Sequence, residues 1–212
     1  MLHAIILAGG TGRRLGGVSK ADIMLGERRL LDWVLAGARA HIDGTIVVVA
    51  PESVEVPAGV IRTLEDPPLG GPVAGIFAGL DAIARQPMTL EYTEETPTGP
   101  TLIAVLTCDA PGAGLALPRL RDSLLTARPG CDAMIGRDAT GREQYLLGVY
   151  QAEALRRRRE RWGDVHGASM HRFISALAIS ALDLPAHMTA DCDTPEDLAR
   201  LRRELRVSSR GQ

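Results

Sequence analysis

Ile5-Ile6-Leu7-Ala8-Gly9-Gly10-Thr11-Gly12-Arg13-Arg14-Leu15-Gly16-Gly17-Val18-Ser19-Lys20 is the stretch whose reading decides the fold. It opens as a short apolar run, the pattern of a strand buried on both faces. It then breaks into five glycines, two arginines and one lysine within twelve residues. Glycines placed directly after a buried strand let backbone N–H groups close on an anion, because no Cβ stands in the way. Arg13, Arg14 and Lys20 supply cationic charge for a polyphosphate. The loop fits neither common phosphate motif: Gly10-Thr11-Gly12 lacks the third glycine of GxGxxG, and no Gly-Lys-Ser/Thr follows. A glycine-rich surface turn with solvated charges is the plainer alternative. Lys20 weighs against it. It is the single lysine of the chain, and the other 23 basic residues are arginines. A compact ammonium reaching into a phosphate site is a physical reason to keep one lysine.

The 212 residues suit a single α/β domain over 1–207 with a frayed tail at 208–212. Apolar residues make up 45 % and aromatics only 3 %, so the core must be built from Leu, Val, Ile and Ala. That scarcity of rings, with a net charge of −2, predicts no nucleic-acid partner. Cys108, Cys131 and Cys192 are scattered, with no CxxC pair. They predict neither structural zinc nor a disulfide framework, and suit a reducing cytosol. Met1 leads straight into the strand with no charged leader, and no apolar run nears the roughly twenty residues of a membrane span. The expectation is a cytoplasmic protein without membrane contact.

His3–Ala8 reads as the first strand. Leu30, Leu31, Val34, Leu35 and Ala38 recur at helical spacing and predict an amphipathic helix over about 29–41. Strands follow at Thr45–Val49 and Val60–Leu64. The prolines of Asp66-Pro67-Pro68-Leu69-Gly70-Gly71-Pro72 forbid regular structure until Pro72 opens a helix. Residues 86–100 are polar, acidic and bounded by prolines, and read as an exposed insertion. Leu102–Leu106 is the most apolar strand and belongs at the sheet centre. A helix near 116–127, a strand at 132–136 and a strand at Tyr145–Tyr150, a candidate antiparallel strand, come next. The arginine run at 156–161 reads as a solvated helix face. A helix near 168–178, a short strand at Ala181–Leu184 and a helix from Pro195 complete the chain. Thr194-Pro195-Glu196-Asp197 carries cap, proline and acidic first turn. The alternation predicts a Rossmann-like domain: a mostly parallel central sheet with helices on both faces.

Asp66, Asp109 and the pair Asp191/Asp193 fall where strand ends and loops meet the glycine loop. Singly, each is as well explained as a turn or helix cap. Together with a phosphate loop they gain a shared purpose, since Mg²⁺ takes hard oxygen ligands, often one or two carboxylates plus phosphate and water. Asp109 at the carboxyl end of the central strand, opposite Lys20, could hold Mg²⁺ against the α-phosphate of a nucleotide. His166 and His171 are poorly spaced for zinc on a helix. Cys108 has no base arranged to activate it and reads as a small buried hydrophobe.

Leu7-Ala8-Gly9-Gly10-Thr11-Gly12-Arg13-Arg14-Leu15-Gly16-Gly17-Val18-Ser19-Lys20 resembles the LAGG-x-x-x-R-x-G-x-x-K signature of the nucleotidyltransferase superfamily. Within it the chain looks most like the molybdenum cofactor guanylyltransferases. Glu65-Asp66 before Gly71-Pro72-Val73-Ala74-Gly75-Ile76, Cys108-Asp109-Ala110-Pro111 and Asp191-Cys192-Asp193-Thr194-Pro195-Glu196-Asp197-Leu198 match in order. The matches span nearly the whole chain. The resemblance implies transfer of GMP from Mg-GTP to a molybdopterin-type cofactor. It puts Leu7, Ala8, Gly9 and Gly10 against the nucleotide, Lys20 on phosphate, Asp66 at the guanosine, and Asp109 at Mg²⁺ and nucleotide. Arg14 joins Lys20 and Asp109 as a catalytic candidate, and Asp193 is a candidate second metal ligand. Apo-molybdoenzymes or other cofactor-assembly proteins are the implied partners. The chain departs from the pattern where some members carry an asparagine after the second strand and this one has Ala50-Pro51-Glu52. The same chemistry with another base or acceptor, as in a cytidylyltransferase or a sugar-phosphate or phospholactate nucleotidyltransferase, is an alternative. A non-catalytic molybdopterin carrier is an alternative of another class.

Overall fold

The computed structural model describes residues 1–10, 17–66, 68–86, 99–163, 165 and 167–208. In chain order, β1 (Leu2–Leu7) is followed by a 3-10 turn at Lys20–Asp22 and a small ribbon of β2 (Met24–Leu25) and β3 (Arg28–Arg29). Then come α1 (Leu30–Arg39), β4 (Ile46–Val49), β5 (Ile61–Thr63), α2 (Pro72–Ala84) and β6 (Leu102–Thr107). A 3-10 turn at Ala113–Ala116 leads into α3 (Leu117–Leu125), β7 (Ala133–Arg137) and β8 (Glu143–Gln151). The remaining elements are α4 (Ala152–Glu160), α5 (Met170–Ile174), β9 (Ile179–Asp183), α6 (Ala186–Thr189) and α7 (Pro195–Ser208).

Seven strands form one sheet in the order β5-β4-β1-β6-β8-β7-β9. β8 is antiparallel to both its neighbours and the other pairings are parallel. β6 is the middle strand, as expected of Leu102–Leu106, and β1 lies beside it with Ile5 registered between Val47 and Val105. Because side chains alternate along a strand, Ala4 and Ile6 join the core under α1 and α3, while Ile5 joins the core under α2, α4 and α5. Helices therefore cover both faces, as the alternating pattern predicts. On α1 the buried stripe is Leu30, Leu31, Val34, Leu35 and Ala38, and each buried leucine contributes about 1.5–3 kcal/mol relative to exposure. α2 lies close against β1 because it carries glycine where the strand passes. A Cβ on Gly75 would sit 2.9 Å from Leu7 Cδ2, and one on Gly79 would sit 2.6 Å from Ile5 Cγ2.

Three local expectations are corrected. The helix expected near 168–178 is only Met170–Ile174, because the parallel pairing Ala133↔Ile179 to Arg137↔Asp183 claims the following residues for β9. That strand accordingly starts at Ile179 rather than Ala181. The β2–β3 ribbon has no counterpart in the sequence reading; its turn uses Gly26 at φ 68°. The last helix reaches Ser208, one residue into the stretch expected to fray. Most of the 86–100 insertion and the end of the tail lie outside the described residues. Among the described residues no helix is long and apolar enough to cross a membrane.

Candidate active site

The site forms where the parallel strands end, the edge at which open α/β sheets bind ligands. The ladder runs one step past β1: the Ala8 N–H donates to Val49 O at 2.8 Å and the Cys108 N–H to Leu7 O at 3.0 Å. Beyond those bonds Gly9-Gly10 and Asp109 leave the sheet side by side. The Lys20 N–H returns to Gly10 O at 3.3 Å, and the lysine stem lies over Gly10, where a Cβ would be 3.5 Å from Lys20 Cδ.

A third segment arrives from the far end of the chain. The Cys192 N–H donates to Asp109 O at 2.9 Å, docking Asp191-Cys192-Asp193 onto the end of β6. α7 anchors it. Cys192 and Leu201 pack with Ile23, Leu25 and Leu30 in a small separate core. At the start of α7 the Asp197 N–H donates to Thr194 Oγ1 at 3.1 Å, and Asp197 Oδ2 accepts from the Thr194 N–H at 3.1 Å. That reciprocal cap is what Thr194-Pro195-Glu196-Asp197 predicts.

These three segments converge on one ammonium. Lys20 Nζ donates to Asp109 Oδ2 at 2.7 Å and also to Asp193 Oδ1. The Lys20 and Asp109 side chains are about one-fifth exposed and Asp193 about half. Burial pulls the Lys20 pKa down, but the hydrogen bonds to the two carboxylates outweigh it and hold it above the usual lysine value. The lysine is cationic. Burial, then the charges of Asp109 and Asp193, push Asp191 up to about 6 against the pull of Lys20 and Arg142. Burial pushes the Cys108 thiol far up, so it is no thiolate nucleophile.

The surrounding cleft has a volume of about 390 Å³, within the range of small-molecule sites. Leu7, Gly9, Gly10 and Lys20 line it from the first loop, and Thr107, Cys108 and Asp109 from the end of β6. Glu65, Leu69, Gly71, Pro72 and Gly75 line it from the loop after β5 and the start of α2, and Val49 from the end of β4. Leu146 reaches in from β8. It does so at a bulge, where the β7 pairing skips from Gly148 to Gln144 between Ile135 and Gly136.

Of the residues singled out from sequence, Leu7, Gly9, Gly10, Lys20 and Asp109 line the cleft and Asp193 reaches Lys20. Ala8 is buried behind the lining, 1 % exposed. Asp66 is exposed and is not part of the lining, whereas its neighbour Glu65 is. Arg14 and His166 lie outside the described residues. Glu65 was visible only as the partner of Asp66 in a matching dipeptide. Leu146 carries no sequence signal, because a bulge in pairing places it.

Two carboxylates beside a cleft suit a hard divalent cation that completes its shell with phosphate oxygens and water. Among the described residues no cluster of three or more His, Cys, Asp or Glu side chains forms a complete metal cage.

Residues 4–182 match the MobA-like NTP transferase domain family, whose nucleotidyltransferases typically use a divalent metal. The chain is 35 % identical over 114 residues to a molybdenum cofactor guanylyltransferase of Acidiphilium cryptum, covering 52 % of this chain and 58 % of that one. It is 34 % identical over 79 residues to a protein of the same name from Cereibacter sphaeroides, covering 37 % and 41 %. The matched stretch thus spans about half the length of these curated relatives. In structure it is similar to the molybdopterin-guanine dinucleotide biosynthesis protein A of Archaeoglobus fulgidus. The TM-score is 0.66 at 22 % identity, over 96 % of this chain and 98 % of that one. At that identity the likeness concerns the fold.

Proposed function

The chain belongs to the MobA-like NTP transferase domain family, and from that we propose that it transfers GMP from GTP to a molybdopterin-type cofactor. A terminal phosphate oxygen of the acceptor bonds to the α-phosphorus, the bond from that phosphorus to the bridging oxygen breaks, and pyrophosphate leaves. The nucleophile is already anionic, so no general base is needed. Positioning and charge neutralisation carry the catalysis.

The observation that carries this reading is Lys20, in the lining of the cleft, held between Asp109 and Asp193. In this reading Lys20 binds the phosphates, and Gly9 and Gly10 admit them close to the backbone. Asp109 and Asp193 hold Mg²⁺, an assignment that their all-oxygen donor set supports. A metal held by Asp109 and Asp193 would supply charge neutralisation for the phosphates. Leu7 and Val49 offer apolar surface to the nucleoside, which extends from β1 toward β4.

A thermal-shift comparison of GTP, CTP, ATP and UTP, each with and without Mg²⁺, tests the nucleotide half of the proposal. A ligand at one hundred times its Kd adds about 2.7 kcal/mol of stability. Stabilisation led by GTP with Mg²⁺ is expected. Stabilisation led by CTP contradicts the guanylyl assignment.

A further inference from the structure

The Lys20 ammonium sits at the end of a flexible four-carbon stem, so its placement depends on the three-residue turn Lys20–Asp22 that carries it. Few bonds fix that turn from its own side. Ser19, which precedes it, gives it no side-chain hydrogen bond, and Ser19 Oγ is buried without a partner. The Lys20 N–H reaches Gly10 O at 3.3 Å, longer than an ordinary backbone bond. Ala21 is fully buried and pins the middle of the turn. The far end is held from outside, by Arg29.

Arg29 belongs to the β2–β3 ribbon, where it pairs with Met24, and the N–H of the next residue, Leu30, donates to Ile23 O at 2.9 Å. The chain thus folds back and sets Arg29 beside the turn. Its guanidinium makes four hydrogen bonds to three segments. Nη1 donates to Asp22 Oδ1 at 2.9 Å. Nε and Nη2 donate to the two oxygens of Asp32, in the first turn of α1, each at 2.9 Å. Nη2 also donates to Glu55 O, in the loop after β4, at 3.1 Å. A planar fork with five donors serves three directions at once, which a compact ammonium does not.

Two of those segments are anchored in the core. α1 buries its apolar stripe against the sheet, and Val54, next to Glu55, is fully buried. The third is the turn that bears Lys20. We propose that Arg29 is a positioning residue for Lys20: through Asp22 it ties the end of the turn to α1 and to the loop after β4, and so sets where the ammonium meets a nucleotide's phosphates. The proposal rests on the phosphate role given to Lys20 above. A shift of about 1 Å in a positioned group can cost as much as 10²-fold.

The sign of one variant separates positioning from charge. Asp22→Ala deletes a negative charge two residues from Lys20, which by electrostatics alone would tighten the binding of a polyanion. Loss of a tether weakens it. Calorimetric titration with Mg-GTP, well below the melting temperature, should show Asp22→Ala and Arg29→Met binding about three- to tenfold more weakly than the wild type, within the range of coupling in one hydrogen-bond network. Asp22→Asn, whose Oδ1 still accepts from Nη1, should stay within about twofold of the wild type. In a Lys20→Met background neither Asp22→Ala nor Arg29→Met should change the affinity by more than about 1.5-fold. Asp22→Ala carries the test by itself should Arg29→Met fail to fold. Unchanged or tighter binding by folded Asp22→Ala overturns the proposal and leaves Arg29 a brace read only in the melting temperature. Equal losses with and without Lys20 overturn it too, since the effect would not pass through the ammonium. If Lys20→Met binds GTP as tightly as the wild type, or the wild type binds none, the phosphate role of Lys20 fails first and the proposal with it.

Discussion

Lys20 Nζ lies 2.7 Å from Asp109 Oδ2, a contact made across 89 residues of sequence. Gly9-Gly10 and Asp109 emerge from neighbouring parallel strands, so the contact follows from the pairing of β1 with β6. It places a fixed cation and a carboxylate where a nucleotide's phosphates would enter. Asp109→Asn keeps an oxygen acceptor for Lys20 and removes the negative charge. Turnover should fall by about 10²- to 10³-fold or more, the scale of one electrostatic group in a water-poor site. Mg²⁺ should then cease to strengthen nucleotide binding, with little change in melting temperature. Steady-state kinetics and binding titrations with and without the metal check both.

Lys20→Met preserves most of the stem over Gly10 and deletes the charge. The affinity for GTP should drop about tenfold or more, since a charge-assisted contact to phosphate is lost. The Lys20→Arg variant should recover only part of it, because a planar fork does not reproduce a compact ammonium. Equilibrium binding of GTP to both variants is the measurement.

Gly79→Ala tests the packing of α2 on β1. The new methyl would meet Ile5 Cγ2 at 2.6 Å and Ile5 Cδ1 at 2.8 Å. Overpacking of this kind costs about 1–3 kcal/mol. Ile5→Val removes Cδ1, so the double variant should be less unstable than the sum of the two single changes. Urea unfolding of the four proteins gives the coupling energy.

His3 ties β1 to the start of β4 in a pH-dependent way. Its Nδ1 accepts the Thr45 N–H at 2.9 Å and must be unprotonated to do so. Burial lowers its pKa below 6.5, and the charge of Asp43 opposes that only in part. The folded state therefore binds the proton less readily than the unfolded chain. The stability that neutral His3 contributes is complete above pH 6.5 and is lost as pH falls from there through the folded pKa. His3→Asn, which offers Oδ1 in place of Nδ1, should flatten that acid limb by at most about 1.4 kcal/mol per pH unit. Urea midpoints of both proteins across the acid range show whether it does.

Much of this architecture is written locally in the chain. The apolar run before Gly9 marks β1, Pro72 opens α2, and Thr194 with Asp197 caps α7. Each is a signal carried within a few residues. The choice between Glu65 and Asp66 is different in kind. Glu65 is buried in the cleft lining and accepts from the Leu69 N–H, while Asp66 is exposed, a choice made by the Leu69 turn. Leu146 enters because β8 is bulged against β7, and α5 is cut short because β9 must pair with β7. Asp193 meets Lys20 across 173 residues, through the packing of α7 on the β2–β3 ribbon. In each of these cases pairing or packing decides where the side chain goes.

The most direct test of guanylyl transfer follows two labels in parallel reactions containing the protein, Mg²⁺ and a molybdopterin-type acceptor. GTP labelled at the α-phosphate should pass its label to the acceptor, and GTP labelled at the γ-phosphate should yield labelled pyrophosphate in equal amount. Both should fall together by about 10²- to 10³-fold or more in Asp109→Asn. Label remaining in GTP, or γ-label appearing as inorganic phosphate with no α-label on the acceptor, would contradict the assignment.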